Sequence, residues 1–225
     1  MPERILVIAA HADDEALGCG GTIARHLAQG DTVHLVFMAD GVGSRRGDDL
    51  AAERHARDTA RDRALAALGV ASWVSFGLAD NQMDALPLLD VVQPLERAIA
   101  AFDPHVVYSH HAGDLNIDHR ITHQAVMTAC RPLPGRTLRE ILAFEVPSST
   151  EWAPAGLPPF VPDVFVDITA TWPAKRAALD AYADELRPAP HARSLPAIEA
   201  LATWRGHSVG LAKAEAFMLQ RRIVR

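Results

Sequence analysis

Only two cysteines, Cys19 and Cys130, occur in the 225 residues. Far apart in a chain without an export signal, they read as reduced thiols rather than as a disulfide. No apolar stretch reaches the roughly 18 residues that a membrane-crossing helix needs. Met1-Pro-Glu-Arg passes straight into an apolar run, with no basic leader, sustained hydrophobic segment or cleavage site. The expectation is a cytoplasmic protein with no membrane span. Lysines and arginines form no stripe, and the formal net charge is -6; the electrostatic footprint of a nucleic-acid binder is missing. There is no internal repeat, low-complexity tract or linker. With 49% hydrophobic and 22% charged residues, the chain is long enough for one full α/β domain and too short for two.

What is present begins with residues 4–21, an apolar run that breaks into His11, Asp13, Asp14 and Glu15 and then a glycine-rich turn. Ile5 to Ala10 is short and has no alternating polar face, the pattern of a strand buried on both sides of a parallel sheet. Ligands of open α/β sheets bind outside the carboxyl ends of such strands, where this acidic cluster falls. Its plainest reading is a polar turn with Asp13 or Asp14 capping a helix. A histidine and a carboxylate three residues apart can also converge on one point, and imidazole nitrogen with carboxylate oxygen suits zinc or iron. The adjacent carboxylate is then free to act on water. Gly18, Gly20 and Gly21 do not match a dinucleotide fingerprint, since the first glycine comes eight positions after Ala10 and Ile23 takes the third position. They are expected to let the backbone approach the metal turn or a substrate closely. Cys19 reads as a small buried thiol.

Beyond this turn, strand and helix patterns alternate. Helices are expected over 22–29, 49–68, 88–102, 120–130, 175–186, 196–205 and 210–222, and strands over 32–38, 73–76, 106–109, 138–146 and 164–168. The alternation means a Rossmann-like, mostly parallel sheet with helices on both faces. The loop at 39–48, rich in glycine and charge, is expected to line the site. The arginines among 54–63 read as a solvated helix face, with one candidate to point inward. The hydroxyl-dense segment 145–152 ends at Trp152 and suits polyol recognition. A second polar concentration, 110–123, opens from the strand at 106–109. A hydrolytic metal site needs at least three protein ligands, and His119 is the choice for the third, with His110, His111 and His123 as competitors. Asp118 can orient a ligand imidazole, and Asn116 can offer an amide N–H to developing negative charge.

These residues resemble the PIG-L/LmbE-like family of zinc-dependent N-deacetylases. Ala10-His-Ala-Asp-Asp-Glu matches the family's His-Pro-Asp-Asp-Glu, Asp114-Leu-Asn-Ile-Asp-His-Arg its Asn-x-Asp-His-Arg element, and Pro190-His-Ala-Arg-Ser a late Pro-His-Pro-Arg-Ser. Gly206 and Ala214-Glu-Ala-Phe extend the likeness over essentially the whole chain. The resemblance implies zinc ligands at His11, Asp14 and His119, a general base at Asp13 and a supporting carboxylate at Asp118. Ala12 and Ala192 stand where the family has prolines. Some relatives carry a histidine at the position of Asn116, where an amide donor takes its place. Arg57 and Asp80 correspond to substrate contacts. His191 and Arg193 join them, Arg193 for an anionic portion.

The implied activity is hydrolysis of the N-acetyl group of an N-acetylamino sugar conjugate, with Zn²⁺ as cofactor and Fe²⁺ acceptable to the same ligands. The partner is then a small molecule, and relatives commonly form homo-oligomers. The alternatives are a metal hydrolase acting on a non-sugar amide and a nucleotide-sugar binding module without turnover. A free carboxylate beside a metal argues against the binding module.

Overall fold

The computed structural model describes residues 2–41 and 50–224. The loop after the second strand, from residue 42, therefore lies outside the described residues. The first strand, β1 (Arg4–Ala9), is followed by α1 (Asp14–Ala28), β2 (Thr32–Ala39), α2 (Leu50–Leu68), β3 (Trp73–Leu78), α3 (Leu88–Phe102), β4 (Val106–His110) and α4 (Ile117–Ala129). The remainder runs β5 (Glu140–Phe144), β6 (Val164–Asp167), α5 (Trp172–Ala181), α6 (Leu195–His207) and β7 (Ala214–Arg222). These strands form a seven-stranded sheet in the order β3-β2-β1-β4-β5-β7-β6. The first five strands in that order pair in parallel, and β7 runs antiparallel to both neighbours.

Alternate residues of β1 feed two cores. Ile5, Val7 and Ala9 pack with α1, α2 and α5, whereas Leu6 and Ile8, with Ala10 just past the strand, pack with α3 and α4. The central strand is thus covered on both faces, which is why it shows no polar period. Chain order reverses between β1 and β4, so their carboxyl ends diverge and open a crevice there.

Two expectations are corrected. The last segment is a strand and not a helix: Ala214, Glu215, Met218, Leu219 and Gln220 favour helix intrinsically, but pairing with β5 and β6 overrides that preference. Helix α1 begins at Asp14, eight residues before the expected start, and contains the glycines. A Cβ on Gly18 would run into the Phe144 ring, and one on Gly21 would lie 2.7 Å from Ile168 Cγ2. The glycines bring α1 onto the sheet, and that close approach is what they serve. Cys19 and Cys130 are buried free thiols.

Candidate metal centre and its surroundings

His11 and Asp14 leave the end of β1 in one tight turn, and the His11 N–H donates to Asp14 Oδ2 at 2.8 Å. His119 arrives from the first turn of α4. That helix is started by Asn116, whose Oδ1 accepts from the N–H groups of Asp118 and His119. Asp14 Oδ2 lies 3.4 Å from His11 Nδ1 and 3.3 Å from His119 Nε2. All three side chains are buried, and Asp14 Oδ1 has no hydrogen-bond partner among the described residues. A fully buried carboxylate oxygen left unpaired is costly, and two imidazoles and a carboxylate converging there are a set that can hold a zinc-like cation.

The other nitrogens of these imidazoles face carboxylates. His11 Nε2 lies 3.1 Å from Asp118 Oδ2 and 3.0 Å from Asp80 Oδ1. His119 Nδ1 lies 3.1 Å from Asp114 Oδ1. Carboxylates in this position fix the tautomer and raise the basicity of a ligand histidine. His11, Asp80 and Asp118 could themselves be taken for a second cation site. Asp118, however, already accepts from the N–H groups of Asn81 and Met83, so its oxygens are spent on orienting the loop and His11.

Burial disfavours charge on every group here, and the local pairs decide the outcome. For His119 burial is outweighed by Asp14 and Asp114, which lift its pKa to about 9. His11 is likewise lifted by Asp118, Asp14 and Asp80 against burial. Asp14 is held well below the usual carboxylate range, because His119 and His110 outweigh its burial. Asp114 accepts from Ser149 Oγ and, at 2.6 Å, from Thr150 Oγ1; burial is again outweighed, by His119 and these hydroxyls, and its pKa is lowered.

Asp13 sits beside the ligands with φ 127°, outside the regions a side-chain-bearing residue prefers. It makes no capping bond, so the polar-turn reading does not describe it. Arg193 Nη1 donates to its Oδ2 at 2.9 Å, and the Asp13 N–H donates to Glu15 Oε2 at 3.0 Å. Burial raises the Asp13 pKa, with Arg193 and Arg57 pulling against it. Burial also lifts Glu15 to about 7, opposed by the Tyr182 hydroxyl that donates to it at 2.7 Å.

The structure places the remaining expected residues as follows. Asp80 is buried against His11, and Asn116 donates from Nδ2 to Asn81 Oδ1 at 3.2 Å. Arg57 points inward to an ion pair with Glu185, beside a cavity of about 250 Å³ lined by both of them and by Glu53 and Tyr182. His191 Nδ1 accepts the Arg193 N–H at 3.0 Å, and its ring meets Trp152 edge-on. Trp152 is half exposed. Of the competing histidines, His110 also borders the centre, with Nε2 3.4 Å from Asp14 Oδ2, but that nitrogen accepts the Ala10 N–H; His111 Nε2 faces Pro158 O, and His123 Nδ1 faces His110 O. The hydroxyls of 148–150 are turned inward to Arg193 and Asp114, so they are not presented to a polyol. Nothing in the sequence marks Asp114 and Glu15 for these roles beyond their position inside the two polar clusters.

Residues 6–130 match the family model for PIG-L, GlcNAc-PI de-N-acetylase. The chain belongs to the PIG-L family. It is 34% identical over 169 residues to the uncharacterized deacetylase YaiS of Escherichia coli, covering 73% of this chain and 81% of that one. Against the 1D-myo-inositol 2-acetamido-2-deoxy-alpha-D-glucopyranoside deacetylase of Mycolicibacterium smegmatis it is 30% identical over 241 residues, covering 85% and 83%. A third relative, the 4-oxalmesaconate hydratase of Pseudomonas putida, is 30% identical over 200 residues, covering 80% and 73%. The PIG-L family thus includes hydratases as well as deacetylases. The fold matches that of the N,N'-diacetylchitobiose deacetylase of Pyrococcus horikoshii with a TM-score of 0.78 at 20% identity, over 97% of this chain and 84% of that one. Among the described residues no helix is long and apolar enough to cross a membrane.

Proposed function

We propose that this PIG-L protein hydrolyses the N-acetyl group of an N-acetylamino sugar conjugate, with a divalent cation, zinc by family, held by His11, Asp14 and His119. The observation that carries this reading is a buried Asp14 carboxylate whose Oδ2 lies between two carboxylate-backed imidazoles and whose Oδ1 has no partner among the described residues, with a separate carboxylate, Asp13, beside them. The cation, when bound, supplies Lewis acidity toward water and the acyl oxygen. Asp13 takes the proton of the attacking water and returns one to the departing nitrogen, since an amine leaves far more readily than an amide anion. A carboxylate whose pKa is raised by burial is a better base than an exposed one. Arg193 aims that carboxylate and favours its charged form. Asn116 has a second amide hydrogen beyond the one given to Asn81, and we assign it to the oxyanion. Arg57, Asp80, His191 and Arg193 are retained as the substrate side of the site, Asp80 and Arg193 acting through His11 and Asp13.

A second reading, hydration of an unsaturated carboxylate, draws on the Pseudomonas relative and on two guanidinium groups near Asp13. Both guanidiniums are already matched by a carboxylate, Arg193 by Asp13 and Arg57 by Glu185, which favours a neutral amide. The test is acetate release by metal-reconstituted protein from N-acetylamino sugars offered free and as nucleotide, lipid and glycoside conjugates. Release from one conjugate supports deacetylation. Silence there, with water added across the double bond of an unsaturated dicarboxylate, supports hydration.

A further inference from the structure

Helix α1 is broken one turn after the candidate ligand. Cys19 has φ −146° and ψ 21°, so Asp14–Gly18 and the stretch from Gly20 are two helical pieces. A break of this kind strips carbonyls of the first piece and N–H groups of the second of their helical partners. Here the whole region is buried, where unpaired backbone groups are not tolerated. Two side chains from distant parts of the chain meet them. Lys175 of α5 donates from Nζ to Leu17 O at 2.8 Å. Glu215 of β7 accepts the Gly21 N–H at 2.9 Å and the Thr22 N–H at 2.7 Å, one on each oxygen. Lys175 and Glu215 also pair with each other at 2.6 Å, and both side chains are almost fully buried. Lys175 is one of only two lysines in the chain. A compact ammonium on a flexible stem can reach a single carbonyl deep in a packed layer.

We propose that Lys175 and Glu215 are positioning residues for the metal turn, an inference that rests on the metal reading of His11, Asp14 and His119. By closing the break from both sides they set the direction of the short piece that carries Asp14, independently of the rest of α1. The link is short: the Leu17 N–H donates to Asp13 O at 2.9 Å, so the carbonyl held by Lys175 belongs to the first turn after Asp13. A buried ion pair is by itself weak evidence for stability. Its role here follows from what the two charges are bonded to. Carboxylate and ammonium each serve the helix break as well as one another.

The test is titration of metal-free protein with Co²⁺, read by the visible absorption of the bound ion, for wild type, Lys175→Met, Glu215→Gln and His119→Ala. Ile99→Ala, buried in the core on the other face of the sheet, supplies a variant destabilised without touching the break. Wild type binding one Co²⁺ and His119→Ala losing it establishes the metal site. The proposal predicts that folded Lys175→Met and Glu215→Gln bind Co²⁺ about tenfold or more weakly, as variants of supporting residues do, with an altered absorption band, while Ile99→Ala binds as wild type does. Glu215→Gln keeps the side-chain shape and carries the test if Lys175→Met does not fold. Wild-type affinity and spectrum in the folded variants, or a loss matched by Ile99→Ala, overturns the positioning role and leaves the metal site standing. A wild type that takes up no Co²⁺ overturns both.

Discussion

Arg193 donates from Nη1 to Asp13 Oδ2 at 2.9 Å, bridging 180 positions of sequence to a carboxylate of the turn that the candidate cation does not use. Because Arg193 pulls the Asp13 pKa down against burial more than any other group, removing it leaves burial opposed by Arg57. Arg193→Ala should move the acid limb of the kcat/KM profile to higher pH. A profile that falls in amplitude without moving would show that Arg193 does not act through Asp13.

Metal content should depend on both layers of the centre. His119→Ala is expected to lose the cation, and Asp114→Asn to weaken its binding about 10-fold to 100-fold, because Asp114 backs His119. Chelator competition on folded protein measures both. Unchanged affinity in Asp114→Asn would remove Asp114 from the account.

Glu15 offers a stability test with a defined sign. Its folded pKa of about 7 lies above its ordinary 4.5, so its contribution is fully present below about pH 4.5 and is lost as pH rises through about 7. Glu15→Gln stays neutral throughout. Chemical denaturation of the metal-free proteins between about pH 5 and 8 should show wild type losing up to ~3 kcal/mol relative to Glu15→Gln. Parallel curves would contradict the burial of an uncompensated charge.

Gly18→Ala should destabilise the fold by about 1–3 kcal/mol through overpacking, since its Cβ meets the Phe144 ring. Thermal melting measures this. A neutral substitution would mean that α1 can withdraw from the sheet.

Much of this molecule was legible in its sequence, and the residues explain why. Ile5 to Ala10 and Val106 to Ser109 read as strands because their apolar runs are covered on both faces, and their polar continuations mark the divergence of β1 and β4. His11, Asp14 and His119 come from two local motifs, each recognisable by itself. Asp114 and Glu15 lay within those motifs, but their partners Ser149, Thr150 and Tyr182 are supplied from far along the chain, and no local pattern announces such a pair. Lys175 and Glu215 are 40 residues apart, and both meet α1 from elsewhere in the fold. The final strand was hidden for the opposite reason: its residues have strong helical preference, and only the gap between β5 and β6 makes it a strand.

The most direct test of the central claim is Asp13→Asn, assayed for bound metal and for acetate release from the conjugate that wild type deacetylates. The account predicts wild-type metal content with turnover reduced by about 10²-fold to 10⁴-fold, the range of a lost general base. Near-normal release from protein shown to carry the substitution and its metal would contradict the assignment of Asp13 and the mechanism built on it.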